Sequence, residues 1–65
     1  MFLIIETTNN PRQNNSTEES RTEKPTLALA KDEAYRQFIN RPWNWFSVYD
    51  DSGECLDEHG LADES

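Results

Sequence analysis

Cys55 and His59, near the end of the chain, have the chemistry of a nucleophile and a general base. They are the one cysteine and the one histidine of the 65 residues. In an extended strand their spacing separates them by about 13 Å, at ~3.3 Å per residue. No Lys or Arg follows Arg41, and neighbouring carboxylates raise the pKa of a thiol. The sequence therefore predicts no catalytic residues and no enzyme activity.

The same segment offers carboxylate oxygens that could hold a cation. The spacing of a calcium-binding EF-hand loop fails, because counting back from Gly53 places Val48 at the first ligand position. A single cysteine excludes an internal disulfide, and no Cys/His spacing indicates structural zinc. We predict no metal and no cofactor, with a small metal-sensing or ligand-sensing domain over residues 50–59 as an alternative.

The net charge of −7 comes entirely from the last quarter of the chain. Residues 1–49 carry six acidic and six basic residues, whereas residues 50–65 carry seven acidic residues and no Lys or Arg. Direct binding to nucleic acid needs clustered cations and is not predicted. Alternate carboxylates on a strand lie about 6.6 Å apart, and such a row would fit a cationic groove built for a phosphate backbone. The charge pattern predicts a basic protein partner, such as a nucleic-acid-binding enzyme or complex.

An aromatic run, WNWFSVY over residues 43–49, precedes the acidic segment. Trp and Tyr dominate interface hot spots, and this run offers bulky groups to both faces of a strand. In a strand, Trp45, Ser47 and Tyr49 would share one face and Phe46 and Val48 the other. We therefore expect a mixture, with Phe46 and Val48 buried against Phe38, Tyr35 and Ile4, and with Trp43 or Trp45 at an interface. The predicted partner-binding residues are Asp50, Asp51, Glu54, Asp57, Glu58, Trp43, Trp45 and Tyr49.

These features favour a non-enzymatic acidic protein-binding module, an inhibitor that acts as a nucleic-acid mimic. In size and charge, though in no motif, the chain is similar in general character to phage-encoded host-takeover and anti-defence proteins, including anti-restriction and anti-CRISPR inhibitors. The alternative is a structural or accessory subunit that docks through its aromatic face, with the acids as plain solvated surface. Because so short a chain buries little surface, a homodimer or partner-stabilised state is also predicted.

The chain reads as a single small domain of residues 1–65 in a reduced, cytoplasmic setting, in the host cytoplasm if it is viral. Its first apolar run, residues 1–5, is too short for a signal peptide, and no run approaches the roughly 20 residues that span a bilayer. Residues 2–7 have strand composition. Residues 8–25 contain no aliphatic or aromatic side chain and are predicted to form a mobile polar loop.

Apolar periodicity predicts a helix ending before Pro42. Its apolar face, expected to pack on the sheet, consists of Ala34, Tyr35, Phe38 and Ile39. Residues 26–30 alternate as a strand would, so we expect a short strand there and a helix over residues 31–40, although Thr26 could instead cap a longer helix. Residues 45–49 and 54–57 flank a turn sequence with Gly53 and predict a hairpin. Residues 61–65 are expected to fray. The predicted fold is α+β in the order β(β)αββ, with one helix on a small antiparallel sheet of three or four strands.

Overall fold

A computed structural model describes residues 1–12 and 14–61. The elements are β1 (Phe2–Thr7), β2 (Glu18–Lys24), α1 (Leu27–Asn40), β3 (Trp45–Tyr49) and β4 (Cys55–His59). The strands form one antiparallel sheet in the spatial order β2-β1-β3-β4, and α1 packs on one of its faces. The predicted α+β fold, one helix on a small antiparallel sheet, is confirmed. No helix in the described ranges is long and apolar enough to cross a membrane.

Strand β1 lies inside the sheet and pairs on both sides. Ile4 is opposite Thr22 of β2 and Val48 of β3, and only 1% of its surface is exposed. A strand that starts at the second residue is ordered when it is tied into a sheet, and two hydrogen-bonded neighbours do this. The predicted strand over residues 2–7 is confirmed with the same bounds.

The predicted loop over residues 8–25 is wrong for Glu18–Lys24, which forms β2. Strand β2 is at the edge of the sheet, where backbone pairing with β1 supplies the order and the side chains stay largely in solvent. An edge strand needs no apolar face, and charged residues are typical of such strands. The absence of apolar side chains was therefore a poor guide to loop structure.

The short strand expected over residues 26–30 is also wrong, because α1 begins at Leu27. The hydroxyl of Thr26 accepts a hydrogen bond from the Leu29 backbone N–H at 3.2 Å and caps the helix. This is the longer helix that the sequence left open, and it is favoured because Leu and Ala have high helix propensity. The predicted frayed tail, residues 61–65, lies outside the described residues except for Leu61, which is exposed.

The core forms between α1 and one face of the sheet. Ala30 and Ala34 are fully buried, and their small side chains let the helix approach Phe46 and Val48 of β3 closely. Phe38 completes this contact, with its ring 6.3 Å from that of Phe46. Burial of Phe46 and Val48 on the helix side was predicted and is confirmed.

Two helix residues expected in the core are not there. Tyr35 and Ile39 are 51% and 56% exposed, because the buried stripe of α1 runs through Ala30 and Ala34 and so lies to one side of them. The Tyr35 ring instead lies at the margin of the helix–sheet contact, 5.6 Å from the His59 ring of β4.

A buried carboxylate, that of Glu6 in β1, joins the sheet to the end of the helix. Glu6 is 4% exposed and accepts two hydrogen bonds from the Arg41 guanidinium, at 2.9 and 3.0 Å. Ser20 of β2 and the Asn44 amide also donate to it. Burial alone would raise the pKa of Glu6, but the bonds from Arg41, Asn44 and Ser20 outweigh it and hold the pKa below its usual value. Glu6 is therefore ionised at neutral pH and fixes where α1 ends.

Removing the Arg41 side chain should destabilise the fold more than removing an exposed ion pair from the same helix. Arg41→Ala leaves a buried carboxylate short of two donors, and we expect a loss of about 1–3 kcal/mol in the free energy of unfolding, limited because Arg41 is 40% exposed. Arg36→Ala, which breaks the exposed pair with Asp32, should cost about 0.5 kcal/mol or less. Urea denaturation measures both losses. Equal losses would show that the contact between Arg41 and Glu6 stabilises the fold no more than an exposed ion pair does.

The contribution of Glu6 should also depend on pH. Because its folded-state pKa is lowered, the stabilisation is complete above the unfolded value of about 4.3 and is lost as the pH falls through the folded value. The difference in unfolding free energy between the native chain and Glu6→Gln should therefore shrink as the solution is acidified below that value. A difference that stays constant from neutral to acid pH would show that the charge of Glu6 contributes nothing.

Candidate functional site

The turn between β3 and β4, which we call the hairpin tip, consists of residues 50–54. The Asp50 carboxylate accepts hydrogen bonds from the backbone N–H groups of Ser52 and Glu54, each at 2.9 Å, and from the Ser52 hydroxyl at 2.7 Å. Gly53 has a φ of 90°, a left-handed conformation that favours glycine. The predicted hairpin is confirmed, with β4 extending to His59.

The carboxylates of the hairpin tip have two different roles. Hydrogen bonds from the Ser52 hydroxyl and then from the Glu54 N–H lower the pKa of Asp50, so Asp50 holds the turn together. Asp51 and Glu54 are exposed, and the Asp51 side chain is 81% accessible. The Asp51 carboxylate lies 3.3 Å from the terminal ammonium of Met1, an exposed ion pair of little strength. Asp51 and Glu54 are therefore the two tip acids available to a partner.

The two acids of β4 point to opposite faces of the sheet. Asp57 is opposite Val48, on the helix side, where its carboxylate lies 3.0 Å from His59 Nε2. Glu58 is opposite Ser47 on the other face and accepts a hydrogen bond from the Arg12 guanidinium at 2.6 Å. The structure therefore does not bring the five predicted acids into one row, and Arg12 compensates the charge of Glu58.

The face of the sheet away from α1, which we call the open face, carries half-buried apolar side chains. Tyr49 is opposite Leu3, and Ser47 is opposite Ile5. Leu3, Ile5 and Tyr49 are partly exposed. The prediction that Trp45, Ser47 and Tyr49 share the face opposite Phe46 and Val48 agrees with this register. A single helix can cover only one face of the sheet, as the sequence predicts, and the other face keeps an apolar strip.

A cleft of about 150 Å³ lies beside the start of β3. It forms where the segment after β1 meets the segment between α1 and β3. The described residues that line it are all neutral at physiological pH: Thr8, Asn9, Asn10, Trp43, Asn44, Trp45 and Leu61. Trp43 is 67% exposed, the largest exposure among the bulky apolar residues that the structure describes. The cleft is thus a neutral pocket with one indole freely presented to solvent.

The Trp45 ring is fixed by packing against the backbone of Gly60. A Cβ atom at Gly60 would overlap the six-membered part of the indole, so the residue after β4 must be small. Trp45 Nε1 is buried and has no hydrogen-bond partner within residues 1–12 and 14–61. Shape rather than hydrogen bonding holds this ring at the cleft.

Cys55 and His59 do not form a catalytic pair in β4. The Cys55 thiol approaches the Glu58 carboxylate at 3.5 Å, while the His59 ring lies on the helix side against Tyr35 and Phe38. Burial, and then the Glu58 carboxylate, raise the pKa of the Cys55 thiol. A thiol of raised pKa is a poor nucleophile at neutral pH. Within the described part of the chain, no group of three or more His, Cys, Asp or Glu side chains is placed to hold a metal ion.

Several residues that shape the site were not singled out from the sequence. Arg12 lies in the predicted loop, and no local pattern indicates that it would return to Glu58. Asn9 and Asn44 line the cleft but look like ordinary turn residues in the sequence. Gly60 could have been found only by knowing that Trp45 packs across it.

No family model, curated protein or solved structure matches this chain.

Substituting Gly60 should displace the Trp45 ring. Gly60→Ala introduces an overlap with the indole, and we expect a loss of about 1–3 kcal/mol in unfolding free energy together with a red shift of tryptophan emission. Gly53→Ala is the control, because a Cβ there meets nothing within 4 Å and costs only backbone strain of about 1–2 kcal/mol. If the tryptophan emission of Gly60→Ala were unchanged, the Trp45 ring would not pack against Gly60 as described.

Proposed function

We propose that this chain is a non-enzymatic protein-binding module of the cytoplasm that inhibits a nucleic-acid-handling protein by occupying its basic surface. The observation that carries the proposal is the hairpin tip, which exposes Asp51 and Glu54 in a part of the sequence with no Lys or Arg. The partner is a basic protein, and the carboxylates take the place of nucleic-acid phosphates. Anti-restriction and anti-CRISPR inhibition are activities of this kind.

Electrostatics supports a contact at the tip rather than along β4. Within residues 1–12 and 14–61, exposed Asp51 and Glu54 pair with no Lys or Arg side chain, whereas Glu58 has Arg12 at 2.6 Å. The overall charge of −7 would speed encounter with a positively charged groove and make the association sensitive to salt. The tip would then supply the contacts, and the remaining acids would contribute to the attractive field.

Neutral lining residues in the cleft support the non-enzymatic part of the proposal. Among the described residues, none that lines the cleft has a side chain that titrates near neutral pH. The cleft volume of about 150 Å³ is below the roughly 300–1,000 Å³ of typical small-molecule sites. General acid–base catalysis needs a positioned group that can exchange a proton.

A second candidate function is favoured by the open face. Its half-buried Leu3, Ile5 and Tyr49 form a strip that an accessory subunit could use to dock on a larger protein or on a second copy of the chain. Apolar docking depends weakly on salt, whereas contact between opposite charges weakens as the screening length falls from about 10 Å at 0.1 M to about 3 Å at 1 M. Salt dependence therefore separates the two functions.

Neutralising the two exposed tip acids should weaken partner binding more than neutralising two acids elsewhere. The chain would be immobilised, used to capture proteins from a cell lysate at low and high salt, and then challenged with duplex DNA or RNA. We expect the captured protein to be released by salt and by nucleic acid, and Asp51→Asn/Glu54→Gln to reduce capture about tenfold or more, the effect of roughly 1.4 kcal/mol. Asp50 is left intact because it holds the turn.

The matched control is Glu19→Gln/Glu23→Gln, which removes the same charge from exposed positions of β2. It should weaken capture much less, because it alters the field but no contact. Equal losses in both variants would show that only net charge matters. Capture that persists at high salt and is lost in Tyr49→Ala would contradict mimicry and support docking through the open face.

A further inference from the structure

Two indoles, those of Trp43 and Trp45, line the cleft beside β3, and neither belongs to the core between α1 and the sheet. Trp43 is 67% exposed, so solvent reaches most of its ring. Trp45 is held against Gly60, which gives the cleft one fixed aromatic wall. Tryptophan is enriched among the residues that dominate binding at protein interfaces, so the exposed Trp43 can serve as an anchor.

One amide in the cleft lining, that of Asn44, is held so that its oxygen can accept a hydrogen bond from a ligand. The Asn44 amide nitrogen donates to the Glu6 carboxylate, which fixes the amide and leaves its carbonyl oxygen as the free end. The amide oxygen of Asn10, another lining residue, is already occupied by hydrogen bonds from Arg12. Of the charged residues nearby, Arg41 is bound to Glu6 and Arg12 to Glu58, so both cations are compensated by carboxylates.

We infer that this cleft receives an arginine side chain of the partner, stacked on the Trp43 indole with its N–H groups directed to the amide oxygen of Asn44. A guanidinium is planar, stacks on aromatic faces and has five donors and no acceptor. A cation is attracted more strongly to the indole of Trp than to the ring of Tyr or Phe. The cleft volume of about 150 Å³ suits one side chain rather than a drug-sized molecule.

The charge of the whole chain supports a cationic occupant over an anionic one. At −7 the chain attracts guanidinium groups and repels phosphates, although the lining itself is neutral. This inference rests on the proposed function, since it identifies the chemical group through which the basic partner would be anchored.

The test uses two small probes of the same shape, N-acetyl-arginine methylamide and its neutral counterpart N-acetyl-citrulline methylamide. Each is titrated into the full chain at high salt, which screens the general field, while backbone and indole N–H signals are followed by NMR. We expect shifts at Trp43 and Asn44 and an affinity for the arginine probe about two to five times higher than for the citrulline probe. Trp43→Phe should weaken the binding, and Trp43→Ala should abolish it.

Tyr35→Ala is the control, because it removes another exposed aromatic ring from a different part of the surface and should leave the titration unchanged. Equal affinity for the two probes, stronger binding of a neutral sugar such as methyl glucoside, or no shifts at the cleft would each overturn the inference. If Asp51→Asn/Glu54→Gln abolishes partner capture while Trp43→Ala does not, the inference about the cleft fails and the proposed function stands. If salt and the tip acids have no effect on capture, the proposed function fails whatever the probes show.

Discussion

The carboxylate of Glu6 joins the parts of this fold. It accepts hydrogen bonds from β2 through Ser20, from the end of α1 through Arg41, and from the segment before β3 through Asn44. A buried charge is costly unless its lone pairs are satisfied, so these three elements must converge on β1. The place where α1 ends, and hence the direction in which the chain enters β3, follows from that convergence. The cleft forms there because Asn44 serves both Glu6 and the cleft wall.

One helix on a four-stranded sheet leaves surfaces that larger folds would bury. The helix covers Ile4, Phe46 and Val48, and the opposite face keeps an apolar strip in partial contact with solvent. The acids of the described segment have different roles: Asp50 builds the turn, Asp57 lies beside His59, Glu58 pairs with Arg12, and the tip exposes Asp51 and Glu54. In so small a fold, a charged side chain is available to a partner only where it is not already paired with another residue of the chain. We therefore propose recognition through the tip and the cleft rather than through the whole acidic segment.

Much of the fold could be predicted because local patterns and tertiary packing agree. Strand β1 and the β3–β4 hairpin have strand-forming composition and a turn that needs Gly53, and both are confirmed. Strand β2 could not be predicted from its polar residues, because pairing with β1 stabilises it rather than burial of its side chains. Tyr35 is exposed because α1 packs on the sheet through Ala30 and Ala34. The sequence pattern alone does not show which part of the apolar helix face contacts the sheet. Arg12 and Glu58 are far apart in the sequence. Local sequence patterns therefore could not show which acids are paired within the fold and which remain exposed.

Zero-length cross-linking tests the central claim, that the hairpin tip meets a cationic surface, most directly. A carbodiimide joins a carboxylate to a lysine amine only when the two are in contact, and mass spectrometry then identifies the acids of this chain that are linked to a captured protein. We predict links through Asp51 and Glu54 to lysines that the partner uses for nucleic acid, and their loss when nucleic acid is added first. Links confined to Glu19 and Glu23 of β2, unaffected by nucleic acid, would contradict the account.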